Sequence, residues 1–550
     1  MARRRAERRP ARAREREAAP EPRVSAVACG GLGLAYFAAL LALYARALEG
    51  PFVSDDLHYV ATNPYVHGLS WENVRAILLP WGPATVAVVN YSPVQLLLHA
   101  TVWQLFGPGL FWHHAISLAF HAAAAALFLP LLIRSGVAPA GALLGSLLFL
   151  LHPANVEAVA WISQLKSTAG LALGFGAALA HPQRPRLALV LFALALLAKA
   201  NAAAVLPLAF WLAWSRDRAL RPRWLCAWIG VFAAFSLVEW SAHQRAGAAE
   251  AVLHHTPFVL LRTMCALAAR YLAMAATGLG LSAFHEPEPA RSLVDPWWLA
   301  SLPALALLGW RTLHVARARR PEAGWWIFAL VSFGPVSQIF PFLYPLADRY
   351  LYFILPGLLG GALCAASDLA ARVPAARRPA LGRAGLGVGL ALCAFFAFRS
   401  VERAALWRSP FLLLADAARH YPEGVSANLA RARAAAQQGD ATATATALRA
   451  ALARGFNRFE QLDGDPVYDS VRQSAAFQGV LRDMAGVWIE AGRGWDSPTQ
   501  GELRRLASAH ALRGERDEAV TLLRQALAQG GPFDAQIRED LQALSAGTGT

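Results

Sequence analysis

Two adjacent carboxylates, Asp55 and Asp56, stand just past the first long apolar run, and three cations, Lys166, Lys199 and Arg349, stand at the ends of later ones. A carboxylate can take the proton of an attacking hydroxyl, and ammonium or guanidinium groups can hold the charge gathering on a departing phosphate. His152, Glu157, Asn201, Asp348 and Tyr350 lie in similar positions, each close to the boundary of an apolar segment, and Tyr91 lies in the loop between the first two. Ionisable groups at membrane depth are costly and commonly mark function. The residue types therefore predict group transfer from a phosphate-bearing donor to a hydroxyl, provided that the elements carrying them bring them together.

Those elements are membrane helices. The chain has 550 residues, 56% of them hydrophobic and only 16% charged, which is too apolar for an ordinary soluble protein and too long for one core. Apolar runs fill residues 26–398 and the remainder is polar. Candidate spans are 26–48, 110–133, 139–152, 167–181, 186–199, 201–215, 225–240, 297–313, 322–341, 349–371 and 381–398. The first is too long for a signal-peptide core and is taken as an uncleaved helix. The segment 257–281 carries Arg262 and Arg270 and is expected to be interfacial or re-entrant.

The formal charge of +15 is distributed topogenically, which argues against nucleic acid as a partner. Arginines crowd the first 23 residues and recur at 134, 184–186, 216–223, 317–320 and 372–383. With the N-terminus inside, about eleven crossings place every one of these basic loops in the cytoplasm and the tail outside. The expected organisation is a basic cytoplasmic arm (1–25), a multi-span domain (26–400) with an outer loop at 49–109, and an extracytoplasmic tail (401–550). The arginine and alanine richness points to a bacterial inner membrane. The five cysteines all lie in apolar segments and form no disulfide or zinc pattern.

The tail is alanine-rich with a helical period. Gly439, Leu448, Ala451, Leu452 and Gly455 recur 75 residues later as Gly514, Leu523, Ala526, Leu527 and Gly530. Turn glycines and small contact residues at this spacing resemble tetratricopeptide repeats of about 34 residues, with a degenerate unit between Phe456 and Trp495. Stacked helix pairs form a concave surface suited to peptide or protein; a plain helical bundle is the alternative. The fold class expected is thus all-α, a polytopic helix bundle followed by an α-solenoid.

With that topology, Asp55, Asp56, Glu157, Lys166, Lys199, Asn201, Asp348, Arg349, Tyr350 and Tyr352 all fall at the outer surface. Carboxylates and cations beside lipid suit glycosyl transfer from a polyprenyl-phosphate sugar. The runs Phe52-Val53-Ser54-Asp55-Asp56, Asn63, Asn90-Tyr91-Ser92-Pro93, Phe106-Gly107, His114 and His121 resemble the first outer loop and second span of the membrane O-mannosyltransferases with tetratricopeptide repeats, of the GT-C fold. His152-Pro153, Glu157, Val159-Ala160-Trp161-Ile162, Lys166, Leu197-Ala198-Lys199, Leu206-Pro207 and Ala347-Asp348-Arg349-Tyr350-Leu351-Tyr352 continue the likeness along nearly the whole chain. The resemblance implies a lipid-phosphate-linked sugar, often mannose, as donor and a hydroxyl of an exported protein as acceptor. It also implies an acidic base from the first outer loop, Asp55 by position, with Asp56 beside it. No cofactor and no divalent metal are expected. The sequence departs from the pattern at Ser167, where an Asp often follows the lysine, and at Ala200, where a Glu usually follows the second lysine.

Plainer readings stand beside these. Asp55 and Asp56 would also suit a solvated turn, Lys166 and Lys199 would suit snorkelling, and Arg349 would suit a clamp with Asp348. His113, His114 and His121 are expected to pack or hydrogen-bond inside the bundle. Trp297, Trp298, Trp325 and Trp326 are expected to form an interfacial belt. Transfer to an envelope lipid or glycan, a non-catalytic membrane scaffold and transport are the competing functions.

Overall fold

The computed structural model describes residues 24–545 apart from 89, 182, 217–220, 247–255, 340–343, 496–497 and 532. The basic arm falls almost wholly outside the described residues. Every regular element among them is a helix. Among the described residues, seven helices are long and apolar enough to cross a membrane: Ala26–Leu43, Leu110–Arg134, Pro222–Ala242, Pro257–Thr277, Pro296–Arg317, Asp348–Arg372 and Ala375–Arg408. The pair Pro139–Leu151 and Pro153–Ala160, bent by 46°, makes an eighth if counted as one span.

These helices keep apolar side chains outside as well as inside. In Pro296–Arg317, only Ser301 and Val315 are buried, while Leu307 and Trp310 are 62% and 61% exposed. A helix apolar on its unpacked face is at home in lipid, so the chain is a multi-pass membrane protein.

Two features bear on the expected spans. The segment expected to be interfacial or re-entrant forms, over residues 257–277, one continuous helix of 21 residues that is long and apolar enough to cross a membrane. Its Arg262 does not interrupt the helix, because the guanidinium reaches the carbonyls of Ala290 and Arg291. Conversely, Leu165–Ala180, Pro185–Ala198, Val205–Trp214 and Pro321–Phe333 have only 16, 14, 10 and 13 residues. At 1.5 Å per residue a helix of 14 is about 21 Å long, short of a ~30 Å hydrocarbon core.

The bundle closes around Leu110–Arg134, which packs against Ala26–Leu43, Pro139–Leu151 and Leu165–Ala180. Buried polar pairs fix its register: the Tyr36 hydroxyl lies 3.0 Å from Ser146 Oγ, which donates to the Ala125 carbonyl, and His121 Nδ1 meets the Tyr352 hydroxyl at 2.9 Å. Trp325, expected at the interface, is instead fully buried and donates to Ser135 Oγ at 2.8 Å. Small residues on the neighbouring helix make room for its indole: a Cβ on Gly360 would stand 2.4 Å from the Trp325 ring. Close helix approach through glycine is a common membrane packing device. Gly360→Ala is therefore expected to cost about 1–3 kcal/mol by overpacking, read as a lowered Tm of the detergent-solubilised chain. An unchanged Tm would show that the indole has room to move.

The loop between the first two spans has a core of its own, formed by Tyr59, Val60, Val66, Ile77, Val88 and Leu96 with Ile162. The tail has two more cores, one centred on Phe477, Leu481 and Met484 and one on Leu503, Leu523 and Ile537. Its matching stretches are helix pairs, Val425–Gln437 with Ala441–Ala453 and Gln500–Leu512 with Arg516–Gln529. Gly439 and Gly514 occupy the two turns with φ of +72° and +82°, a left-handed conformation that favours glycine. Between the pairs lie a short helix, Phe459–Gly464, and a long one, Ala475–Gly492.

Candidate functional site

The acidic pair divides its work. Ser54 has φ of +51°, a left-handed backbone that costs a non-glycine residue roughly 1–2 kcal/mol, and the two following carboxylates face different surroundings. Asp56 is 1% exposed. Its oxygens accept from the backbone N–H of Val53 at 3.0 Å and of Ser163 at 2.7 Å. It thus pins the loop to the turn between the bent pair and Leu165–Ala180. Burial pushes its carboxyl up to about 7, against the two amide donors that favour the charged form. Asp55 stays partly exposed, and its one side-chain hydrogen bond is from Ser54 Oγ at 3.4 Å.

A folded pKa above the ordinary 3.8 means that the folded state holds the Asp56 proton more tightly than the unfolded chain does. The corresponding stability is fully present below the ordinary value and is lost as pH rises through about 7. Wild-type Tm is expected to fall across that window more than the Tm of Asp56→Asn does. Parallel profiles for the two proteins would remove Asp56 as the cause.

The bend at His152 is local chemistry. Pro153 disfavours a helical residue before it, and His152 is extended, with φ −67° and ψ 124°. Its ring accepts from the Ala154 N–H, and Nε2 meets the Ala275 carbonyl at 3.1 Å. His152 is therefore fully occupied by backbone. The bend delivers Glu157 to Arg349: Oε1 takes Nη1 at 2.5 Å and Oε2 takes the Arg349 N–H at 2.7 Å. The guanidinium also stacks near Trp161, Tyr344 and Tyr350, at 5.2, 6.0 and 4.8 Å from the ring centroids.

Asp348, weighed as the partner of Arg349, is turned away from it. One oxygen lies 2.7 Å from His285 Nε2 and the other 3.5 Å from Arg403 Nη2. Arg403 continues to Asp416 at 2.7 Å, so a buried ionic chain joins this helix start to the first helix of the tail.

The two lysines are held by neutral oxygens. Lys166 Nζ donates to the Tyr59 hydroxyl at 3.0 Å and lies 4.5 Å above that ring. Lys199 Nζ donates to Ser167 Oγ at 2.6 Å and to Gln164 Oε1 at 3.3 Å. An extended Lys199 backbone, φ −157° and ψ 129°, breaks the helix there. Ser167, standing where a carboxylate was expected, is thus a neutral partner for the amine. Neither lysine has a carboxylate ion-pair partner among the described residues.

The charges of several of these groups reach one another. The charge of Asp55 is felt at Arg349, at His58 and at Tyr344. Lys199 feels Lys166, Arg349 and Glu157. Burial lowers the His58 imidazole and raises the Tyr344 hydroxyl from their usual ranges.

Of the remaining expected residues, Tyr91 spends its hydroxyl on the Leu78 carbonyl at 2.9 Å, and its N–H donates to Glu239 at 2.8 Å. Asn201 lies on the turn after Lys199 and makes no side-chain hydrogen bond among the described residues. His113, His114 and His121 each meet a backbone carbonyl, of Gly107, Gly50 and Leu150. Sequence reasoning missed Tyr59, Gln164, Tyr344 and the His285–Arg403–Asp416 chain. Gln164 and Tyr344 lie close to residues that were singled out, but neutral groups carry no signal of their own.

No protein-family model matches the chain, and comparison with curated proteins and with solved structures likewise gives no match.

Proposed function

We propose that this chain is a glycosyltransferase of the GT-C type that moves a sugar, mannose in the first instance, from a polyprenyl-phosphate donor to a hydroxyl of an exported protein. The carrying observation is the pair Lys166 and Lys199, two lysine amines held by neutral oxygens within the same field as Asp55 and Arg349. An arrangement with unpaired cations beside a partly exposed carboxylate suits a bound anion and a proton acceptor together.

The Arg349 guanidinium is already paired with Glu157, whereas the amines of Lys166 and Lys199 meet neutral oxygens only, which leaves them to receive the donor phosphate. In the reaction, the Asp55 carboxylate takes the acceptor hydroxyl proton while the acceptor oxygen forms a bond to the sugar C1. The bond from C1 to the phosphate oxygen breaks, and the lipid phosphate leaves with its electron pair towards Lys166, Lys199 and Arg349. Attack opposite the leaving group inverts C1. Asp56 and Glu157 position; they do not touch substrate.

The tail supports a protein acceptor. An open groove of about 550 Å³ is lined by Glu423, Asn428, Arg431, Asp440, Thr442 and Thr446 between its first paired helices, a place for an extended segment. The reading includes a tetratricopeptide-like solenoid outside a bacterial inner membrane, as the basic loops argue.

The test is transfer from labelled polyprenyl-phosphate mannose to serine-containing peptides by the full chain in lipid nanodiscs. Label in peptide supports the reading. No transfer from mannose or from other lipid-phosphate sugars, with donor unbound, would leave the scaffold as the better account.

A further inference from the structure

Resting on that reading, we infer that the tail completes the acceptor site: Arg458 is a specificity-determining residue that holds an acidic side chain of the acceptor close to the hydroxyl being glycosylated. The tail reaches the membrane domain through the loop after Pro257–Thr277. The Glu286 carboxylate accepts from the N–H groups of Val425 at 2.5 Å and Ser426 at 3.1 Å, at the start of a tail helix. Glu288 pairs with Arg454, just past the end of Ala441–Ala453. Ala283 N–H donates to Asp416 at 2.9 Å. Three contacts along six residues of one loop thus fix where the segment 454–458 stands.

Beyond Arg454 the segment is pinned again, by Asn457 Nδ2 on the Met484 carbonyl at 2.9 Å and by Trp488 Nε1 on the Asn457 carbonyl at 3.2 Å. Arg458 follows at once. It is exposed, and its side chain makes no hydrogen bond or ion pair among the described residues. Its charge is nonetheless felt at His58 and at Tyr344, the two groups that also sense Asp55. Geometry agrees: the Phe284 ring of the anchoring loop lies 6.1 Å from the Tyr344 ring, which the Arg349 guanidinium approaches at 6.0 Å, so an exposed guanidinium of the tail stands by the loop that also borders the candidate site.

The direction of approach selects the ligand. The donor phosphate is assigned to Lys166 and Lys199 of the membrane domain, whereas Arg458 belongs to the tail, so an anion meeting it comes with the molecule that the tail contacts. Guanidinium favours a carboxylate by charge-assisted hydrogen bonds, so the acceptor it fits is an acidic peptide.

The experiment uses the full chain in nanodiscs with polyprenyl-phosphate mannose and three serine peptides flanked by Asp, Asn or Lys. Wild type is expected to use the Asp peptide with a KM about tenfold below that of the Asn peptide, at similar kcat. Arg458→Glu should reverse the order in favour of the Lys peptide, and Arg458→Lys should keep part of it. Tm should be the same in both variants as in wild type, which keeps folding out of the comparison. Equal use of the three peptides by wild type, or an unaltered order in Arg458→Glu, overturns the assignment. Binding of a fluorescent Asp peptide, read by anisotropy, separates this from failure of the enzymatic reading. If no peptide is glycosylated but the peptide binds wild type and not Arg458→Glu, the acidic site stands without the transferase. If both proteins bind it equally, the site is lost whatever the enzyme does.

Discussion

Asp55→Asn is expected to lower transfer to peptide by about 10²–10⁴-fold, the usual contribution of a general base, while leaving donor binding intact. The amide has the same shape but cannot accept the hydroxyl proton. Folding should be little affected, because Asp55 is partly exposed and its side chain's one hydrogen bond among the described residues is a long one from its neighbour. Asp56→Asn is the informative control. Its carboxylate holds two backbone N–H groups, and an amide has one oxygen to offer, so that variant should lose Tm as well as activity. Transfer rate and Tm are measured on both. A loss of under threefold in Asp55→Asn, or an equal Tm loss in both, refutes the division of roles between the neighbours.

Lys199→Met is expected to reduce kcat/KM by about 10²–10³-fold, the scale seen when one preorganised electrostatic donor is removed at a site of developing charge. Methionine keeps much of the length and the apolar stem, so packing against the neighbouring helices survives. Ser167 Oγ and Gln164 Oε1 lose their shared donor but can still bond each other, as they do now at 2.8 Å. Lys166→Met should act in the same direction and, because both amines face the same leaving phosphate, the double variant should fall short of the product of the singles. A steady-state comparison at saturating peptide reads these effects. Unaltered kcat/KM for the donor in both single variants would place the phosphate elsewhere.

Much of the architecture was legible because hydropathy and charge act locally. Each apolar run carries its own transfer free energy, so membrane helices could be read residue by residue, and turn glycines such as Gly439 and Gly514 announce themselves by the backbone they require. Length was less legible: the runs at 186–199 and 201–215 were separated correctly at Lys199, but they form helices too short to span unaided. Arg262 counted against a span at 257–281, yet its reach to two carbonyls outside the helix satisfies the charge without breaking it.

The residue types of the candidate site came from sequence alone, as did their gathering at segment ends. Their partners did not. Glu157 meets Arg349 across 192 positions, Asp56 meets Ser163 across 107, and Asp348 leaves its chain neighbour for His285 and Arg403. A buried charge takes whichever donor lies within about 3 Å, and that distance is set by how helices pack and bend rather than by order along the chain. Composition therefore decided that this is a multi-pass membrane protein with a helical tail, whereas tertiary packing alone decided which carboxylate remains exposed and which cations remain unpaired.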